Sequence, residues 1–276
     1  MTTALPDFPV TTHTATLPTH FEVPAVNPAP HGLYPATFWT EEADGPTRWL
    51  GSGVEVRGAN YGGADAAGVW DADWCAPPAI DGPRKEGQRP PILDPFDPVT
   101  VWGYDECDVT EPSRAEVRAR AAQIMRLQEQ SMVEREFAER LLTDAADRPA
   151  GIVSAVDLTL ALGHLEAAFA ETNTVGFVHA GAQWAAVAAE ARLVSRTGTG
   201  WTTPMGHRWV FGGGYVAGLS DTLVATSQPF GWRNTVAVRE AIDERHNTFA
   251  AIAERSVVVG YEAVVAAATV TPEVTP

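Results

Sequence analysis

The sequence predicts an α+β fold with an extended, loop-rich front and a mixed helix-and-strand body. Three observations predict it. Sixteen of the 21 prolines fall in residues 1–112. Residues 114–145 contain neither Gly nor Pro. Residues 256–270 carry the β-branched and aromatic run Val257, Val258, Val259, Tyr261, Val264 and Val265. Proline removes a backbone donor and disfavours helix interiors, so long helices belong after residue 112.

Composition narrows the classes further. The chain has 276 residues, of which 45% are hydrophobic and 20% charged, the pattern of a folded protein. Its net charge of −16 argues against a nucleic-acid binder working through a broad basic face. Two cysteines, Cys75 and Cys107, exclude a disulfide scaffold and a four-thiolate zinc site. Nothing near Met1 has a basic segment followed by a continuous apolar one, and no run is apolar and long enough to span a bilayer. The expectation is a chain that folds in the cytoplasm, with no membrane partner.

Residues 1–46 hold eight prolines and isolated apolar residues such as Phe8, Phe21, Leu33, Tyr34, Phe38 and Trp39. No helical or strand period runs through them. They read as an extended arm that docks on the rest of the chain or on a neighbour. Residues 47–75 read as a long hairpin, because Trp49, Gly51, Gly53 and Glu55 alternate with Leu50, Ser52, Val54 and Val56 before a Gly-rich turn. Residues 76–98 are Pro-rich loop, and 99–104 a short strand.

A helix of about 30 residues is expected from Ser113, where Ser113 and Glu116 fit a capping box after Pro112. Val117, Ala121, Ile124, Met125 and Met132 share one face, whereas Phe137 and Leu141 fall nearly opposite. The helix therefore breaks near Ser131 or is covered on two sides. Glu129, Glu134, Arg135, Glu136, Glu139 and Arg140 read as a solvated face with i,i+4 pairs. Further helices are expected over 154–171 and 183–194, and in part over 236–255. Residues 176–181 have a short strand or turn character; strands are expected at 208–211 and 223–226, and one long final strand at 256–270.

No motif carries catalytic chemistry. Gly212-Gly213-Gly214 lacks the Lys of a phosphate loop and reads as a tight turn or a close backbone approach. His164, His179, His207 and His246 lack metal-ligand spacing, Cys75 and Cys107 form no Cys-x-x-Cys, and there is no G-x-S-x-G. Catalytic, cofactor and metal residues are each read as none. The tryptophans are more informative. Large aromatics on an arm and hairpin need cover, and aromatics are enriched at interfaces. The candidate intersubunit contacts are Phe38, Trp39, Trp49, Trp70, Trp74 and Lys85, the last being the only lysine.

The order of elements, together with Thr203-Pro-Met-Gly-His-Arg-Trp-Val-Phe-Gly-Gly-Gly-Tyr and Ala253-Glu-Arg-Ser-Val-Val-Val-Gly-Tyr-Glu, resembles that of HK97-like major capsid proteins from tailed phages of actinobacteria. The resemblance implies an N-terminal arm (1–46), an extended hairpin loop (47–98), a peripheral domain with a spine helix (99–150), an axial domain (151–247) and a C-terminal strand returning to the peripheral domain (248–276). It implies a structural, non-enzymatic protein that assembles from pentamers and hexamers into an icosahedral head. That head encloses DNA without sequence-specific binding, is part of the virion and is assembled in the host cytoplasm. A helical scaffolding segment does not fit the Pro-rich arm, so a separate scaffolding protein is implied, with a portal. Some members crosslink through a lysine of the hairpin loop, and Lys85 is the only donor here. A tail or connector component, a nanocompartment shell protein and a hydrolytic enzyme are the alternatives.

Overall fold

A computed structural model describes residues 21–42, 50–70, 75, 80–82, 84–198 and 200–271. The arm contributes a 3-10 turn (Tyr34–Ala36) and β1 (Phe38–Glu42), and the loop a second 3-10 turn (Gly63–Ala66). Then come β2 (Val99–Asp108), α1 (Glu111–Ala146), β3 (Val153–Ala155), α2 (Leu158–Thr172), β4 (Phe177–Gly181) and α3 (Trp184–Glu190). They are followed by β5 (Ser195–Thr197), β6 (Gly200–Thr202), β7 (Arg208–Gly212), α4 (Tyr215–Gly218), β8 (Thr222–Thr226) and β9 (Phe230–Asn234). The last three are β10 (Ala237–Asp243), β11 (Thr248–Gly260) and β12 (Val264–Val270). The fold is α+β, as expected.

The long helix α1 is unbroken and runs about 54 Å at 1.5 Å per residue. Its buried row steps by four: Val117, Ala121, Met125, Glu129, Val133, Phe137, Leu141, Ala145. Four residues overshoot one turn by about 40°, so from Val117 to Phe137 the row winds roughly 200° around the axis. This winding puts Val117 and Phe137 on nearly opposite faces of one unbroken helix. The helix packs mainly on β2 and β11, and also meets α4, β12 and β8. The helix starts earlier than the capping box suggested. Its N-cap is Thr110, with no side-chain cap bond, and Pro112 occupies the first turn. Thr110 instead donates its backbone N–H and its hydroxyl to Asp108 Oδ1, at 2.8 and 2.6 Å.

Two sheets flank α1. In the first, β11 pairs antiparallel with β2 along one edge; along the other it pairs with β10 and then with β9, to which β1 adds in parallel. The second has the order β3-β12-β8-β4-β7-β6-β5. Val210, Val224 and Ala267 join the core around α1, while Leu223, Ala225 and Ala268 of the same sheet join a second core with Leu162, Leu165 and Phe169 of α2. The second sheet is therefore covered on both faces.

Small residues set the spacing between β2 and α1. A Cβ on Gly103 would lie 2.6 Å from Met125 N and 2.7 Å from Ala121 O, both backbone atoms. Ala251 and Ala253 of β11 are buried nearby. Gly103→Val is expected to push α1 off the sheet and cost about 1–3 kcal/mol, the range for overpacking. Denaturant unfolding of the full-length protein measures it.

Three expectations are corrected. Residues 236–255 contain no helix: 237–243 and 248–260 are strands joined through Glu244–Asn247. The alanines of β11 alternate inward and outward with Phe249 and Ile252, a period of two that Ala content obscured. Residues 256–270 are two strands in different sheets. The chain leaves β11 at Gly260, and Ser227 Oγ accepts the N–H groups of Glu262 and Ala263 at 2.9 and 3.2 Å. Segment 248–276 is thus divided between the two sheets as far as it is described. The long hairpin over 47–75 is absent among the described residues, where Val54 makes only an isolated bridge to Phe96.

Candidate assembly surfaces and the arm seat

The middle of α1 grips the arm with three polar side chains, Glu129, Gln130 and Glu134. Gln130 Oε1 accepts Tyr34 N–H at 3.2 Å, and Gln130 Nε2 donates to His31 O at 2.8 Å. Glu134 Oε1 accepts Leu33 N–H at 2.9 Å, and its other oxygen accepts Gly214 N–H at 2.8 Å. Glu129 receives the Tyr34 hydroxyl at 2.5 Å and a bidentate fork from Arg255 at 2.6 and 2.5 Å. Leu33 and Ala36 are buried, so residues 31–39 dock on their own chain. Farther out, residues 21–30 remain exposed, with Val26 O receiving Gln123 Nε2 at 2.8 Å.

Burial governs the electrostatics here. It raises the Glu134 carboxyl above its usual range, against the pull of the Leu33, Gly214 and Gly213 amides. It also raises Tyr34, with the Glu129 charge adding to the effect. The solvated-face reading of α1 fails at Glu129 and Glu134, which are buried. It fails in part at Arg140, which pairs with Asp144 at i,i+4 (2.7 Å) but also donates to Pro95 O and Asp94 O and lies 4.0 Å from the Phe96 ring centre. The signal in the sequence was the four-residue row, on which Glu129 falls.

The loop is anchored at both stems. Glu262 accepts Asn60 N–H at 2.7 Å and Asn60 Nδ2 at 2.6 Å, and Arg140 holds Asp94 and Pro95. Between the stems, Val69 (96%), Ile80 (89%) and Ile92 (53%) are exposed, and Trp70 is exposed beneath Lys85, whose Nζ lies 5.1 Å from the ring centre.

Of the sequence candidates, Phe38 is exposed, against Phe230 at a centroid distance of 6.4 Å. Trp39 packs within the chain. Its indole donates to Tyr34 O at 2.9 Å, and Arg233 covers its ring at 4.4 Å. Trp49 and Trp74 lie outside the described residues. A further surface escaped the sequence reading. Trp102 and Tyr104 of β2 and Ile252 of β11 are exposed, and the pairing of Tyr104 with Ile252 puts them on one face of the first sheet, away from α1. The alternation is legible once the strand is taken to Asp108.

The histidines are core groups where they are buried. His179 lies 3.1 Å from Tyr215 Oη and 2.9 Å from Thr226 Oγ1, with Phe137 at a centroid distance of 5.9 Å. His207 stacks on Phe169 at 4.1 Å. Gly214 closes on Ser131 and Glu134, so the triple glycine serves close backbone approach. Among the described residues no three His, Cys, Asp or Glu side chains gather as for a metal ion.

No family model and no curated protein matches the chain. Solved structures do. One, from Microbacterium phage Oxtober96, is 12% identical, covers 94% of this chain and 96% of its own, and has a TM-score of 0.44. The capsid of cyanophage P-SCSP1u is 8% identical over 94% of this chain and 93% of its own, with a TM-score of 0.47. The capsid of an empty GTA particle is 11% identical over 93% and 95%, with a TM-score of 0.47.

Proposed function

We propose that this chain is a self-assembling shell subunit, the major capsid protein of a tailed phage of the actinobacterial type. One observation carries the reading: the chain holds large apolar side chains out in solvent on structured or anchored segments. Phe38 (67% exposed), Trp102 (57%), Val69 and Ile80 are the clearest cases. Scattered exposed apolar residues are normal in a monomer, but Trp102, Tyr104 and Ile252 form one face and the loop carries another. Covering such faces against neighbours gains roughly 25 cal/mol per Å², and permanent interfaces often exceed about 2,000 Å².

In this reading the loop and the outer sheet face meet copies of the same chain in pentamers and hexamers. The acidic balance keeps packaged DNA from adhering to the wall. A separate scaffolding protein and a portal complete the head, which forms in the host cytoplasm and becomes part of the virion. No catalytic role is assigned.

Expression of the full chain, followed by sedimentation and negative-stain microscopy, tests the proposal. Particles or capsomers are expected. Trp102→Asp is expected to leave unfolding of the free subunit within about 0.5 kcal/mol of the parent, as for exposed sites, while reducing assembly at least tenfold. A parent chain that stays monomeric at all concentrations overturns the reading.

A further inference from the structure

Glu134 is buried completely, yet it reaches two segments that are far apart in sequence. One oxygen accepts Leu33 N–H of the arm, and the other accepts Gly214 N–H at the start of α4. Both segments crowd it. A Cβ on Gly32, whose φ is +99°, would lie 2.5 Å from Glu134 Oε1, and one on Gly214 would lie 2.6 Å from Glu134 Cβ and 2.2 Å from Ser131 O. The arm also reaches the second sheet directly. Arg208 Nη2 donates to Pro35 O at 2.7 Å, and His31 stacks on Trp201 at 5.9 Å. Beyond the arm turn, Gln228 Nε2 donates to Ala36 O at 2.8 Å, and β1 adds to β9. Leu33 and Ala36 are buried, and Tyr34 and Trp39 pack half-buried against the same core. Polar and backbone hydrogen bonds supply the rest of its attachment.

We propose that residues 31–42 form a releasable strap, with Glu134 as a catch that makes release of the arm and loosening of the Gly213–Leu219 turn from α1 a single event. The Leu33 amide meets one oxygen and the Gly214 amide the other, with the Gly213 amide and the Gln130 side chain beside them, so the carboxylate is held by both segments at once. If the arm leaves, water or a rotated carboxyl must satisfy the vacated oxygen, and the Gly214 bond weakens with it. Such partial openings lie below global unfolding and involve contiguous units. This inference concerns the isolated chain and stands apart from the shell reading, since its test reads amide exchange and not particles.

Native-state hydrogen exchange on the full-length protein tests it. In the parent, the amides of Leu33 and Gly214 are expected to share one opening equilibrium, easier than that of the β4 and α2 amides. In Gln228→Ala, which removes the hydrogen bond to Ala36 O and leaves the partners of Glu134 in place, both amides are expected to exchange faster by the same factor, up to about tenfold for the loss of such a hydrogen bond. In Glu134→Gln, which offers one oxygen to two amides, their rates are expected to diverge. Acceleration at Leu33 alone in Gln228→Ala overturns the proposal. So does a Leu33 opening equal to global unfolding in the parent, a measurement that needs no variant.

Discussion

Replacing Arg255 with Ala is expected to destabilise the chain by about 3–5 kcal/mol, the cost of leaving one partner of a buried ion pair uncompensated. Arg255 and Glu129 retain only 14% and 6% side-chain exposure, and the guanidinium meets both carboxylate oxygens. Without it, Glu129 keeps the Tyr34 hydroxyl but no positive partner against its oxygens. The carboxylate sits on the buried row of α1, between Met125 and Val133. The double variant Glu129→Met with Arg255→Met separates pairing from packing. It is expected to recover most of the loss, because two apolar side chains of similar length fill the site without an unpaired charge. Urea unfolding of the parent, the single variant and the double variant gives the three values. An Arg255→Ala loss below about 1 kcal/mol, typical of solvent-exposed pairs, would place the bridge at the surface.

Acidification is expected to destabilise the fold through His179, whose burial holds its imidazole down to about 3. Thr226 gives its own hydroxyl proton to Ser227 O, so it accepts from His179 Nε2–H, and Nδ1 then accepts the Tyr215 hydroxyl. The neutral ring is thereby satisfied on both nitrogens. In the unfolded chain the same histidine takes up a proton near pH 6.5. Between that value and about 3 the unfolded state binds more protons than the folded one. The stabilisation is complete above pH 6.5 and is lost as pH falls toward 3, in total on the order of 5 kcal/mol. Glu134 acts in the opposite sense. Its raised carboxyl favours the folded state as it protonates, so it offsets part of the loss just above the ordinary glutamate range. His179→Gln is expected to flatten the pH profile of unfolding between 6.5 and 4 while Glu134 remains. An unchanged slope in that variant would assign the acid sensitivity to other groups.

Local chemistry made several elements legible. The Gly- and Pro-free stretch marked α1, and short apolar runs marked the start of β2, β7 and β8. The arm was recognised as something that docks, but its partner was not: Leu33, Tyr34 and Ala36 settle against α1 of their own chain. Two charges on a helix look the same in sequence whether they meet water or Arg255. Only the winding of the four-residue row separates Glu129, which lies on it, from Glu136 and Glu139, which do not. The strands at 237–260 were obscured because alanine favours helices by local propensity, whereas at Ala251 and Ala253 its smallness lets β11 lie close to α1.

By itself the sequence determined where chain direction is extended and where a long helix runs, because proline, glycine and hydrophobic period act within a few residues. It also determined the acidic balance and the surplus of aromatics in the front of the chain. Only the tertiary structure decided which of those aromatics are sheltered, as Trp39 is, and which face outward, as Trp102 does. It also decided that one carboxylate, Glu134, would join the arm to a turn 80 residues away. Burial and pairing arise between segments distant in the chain, and local periodicity holds no record of which distant surface a side chain will meet.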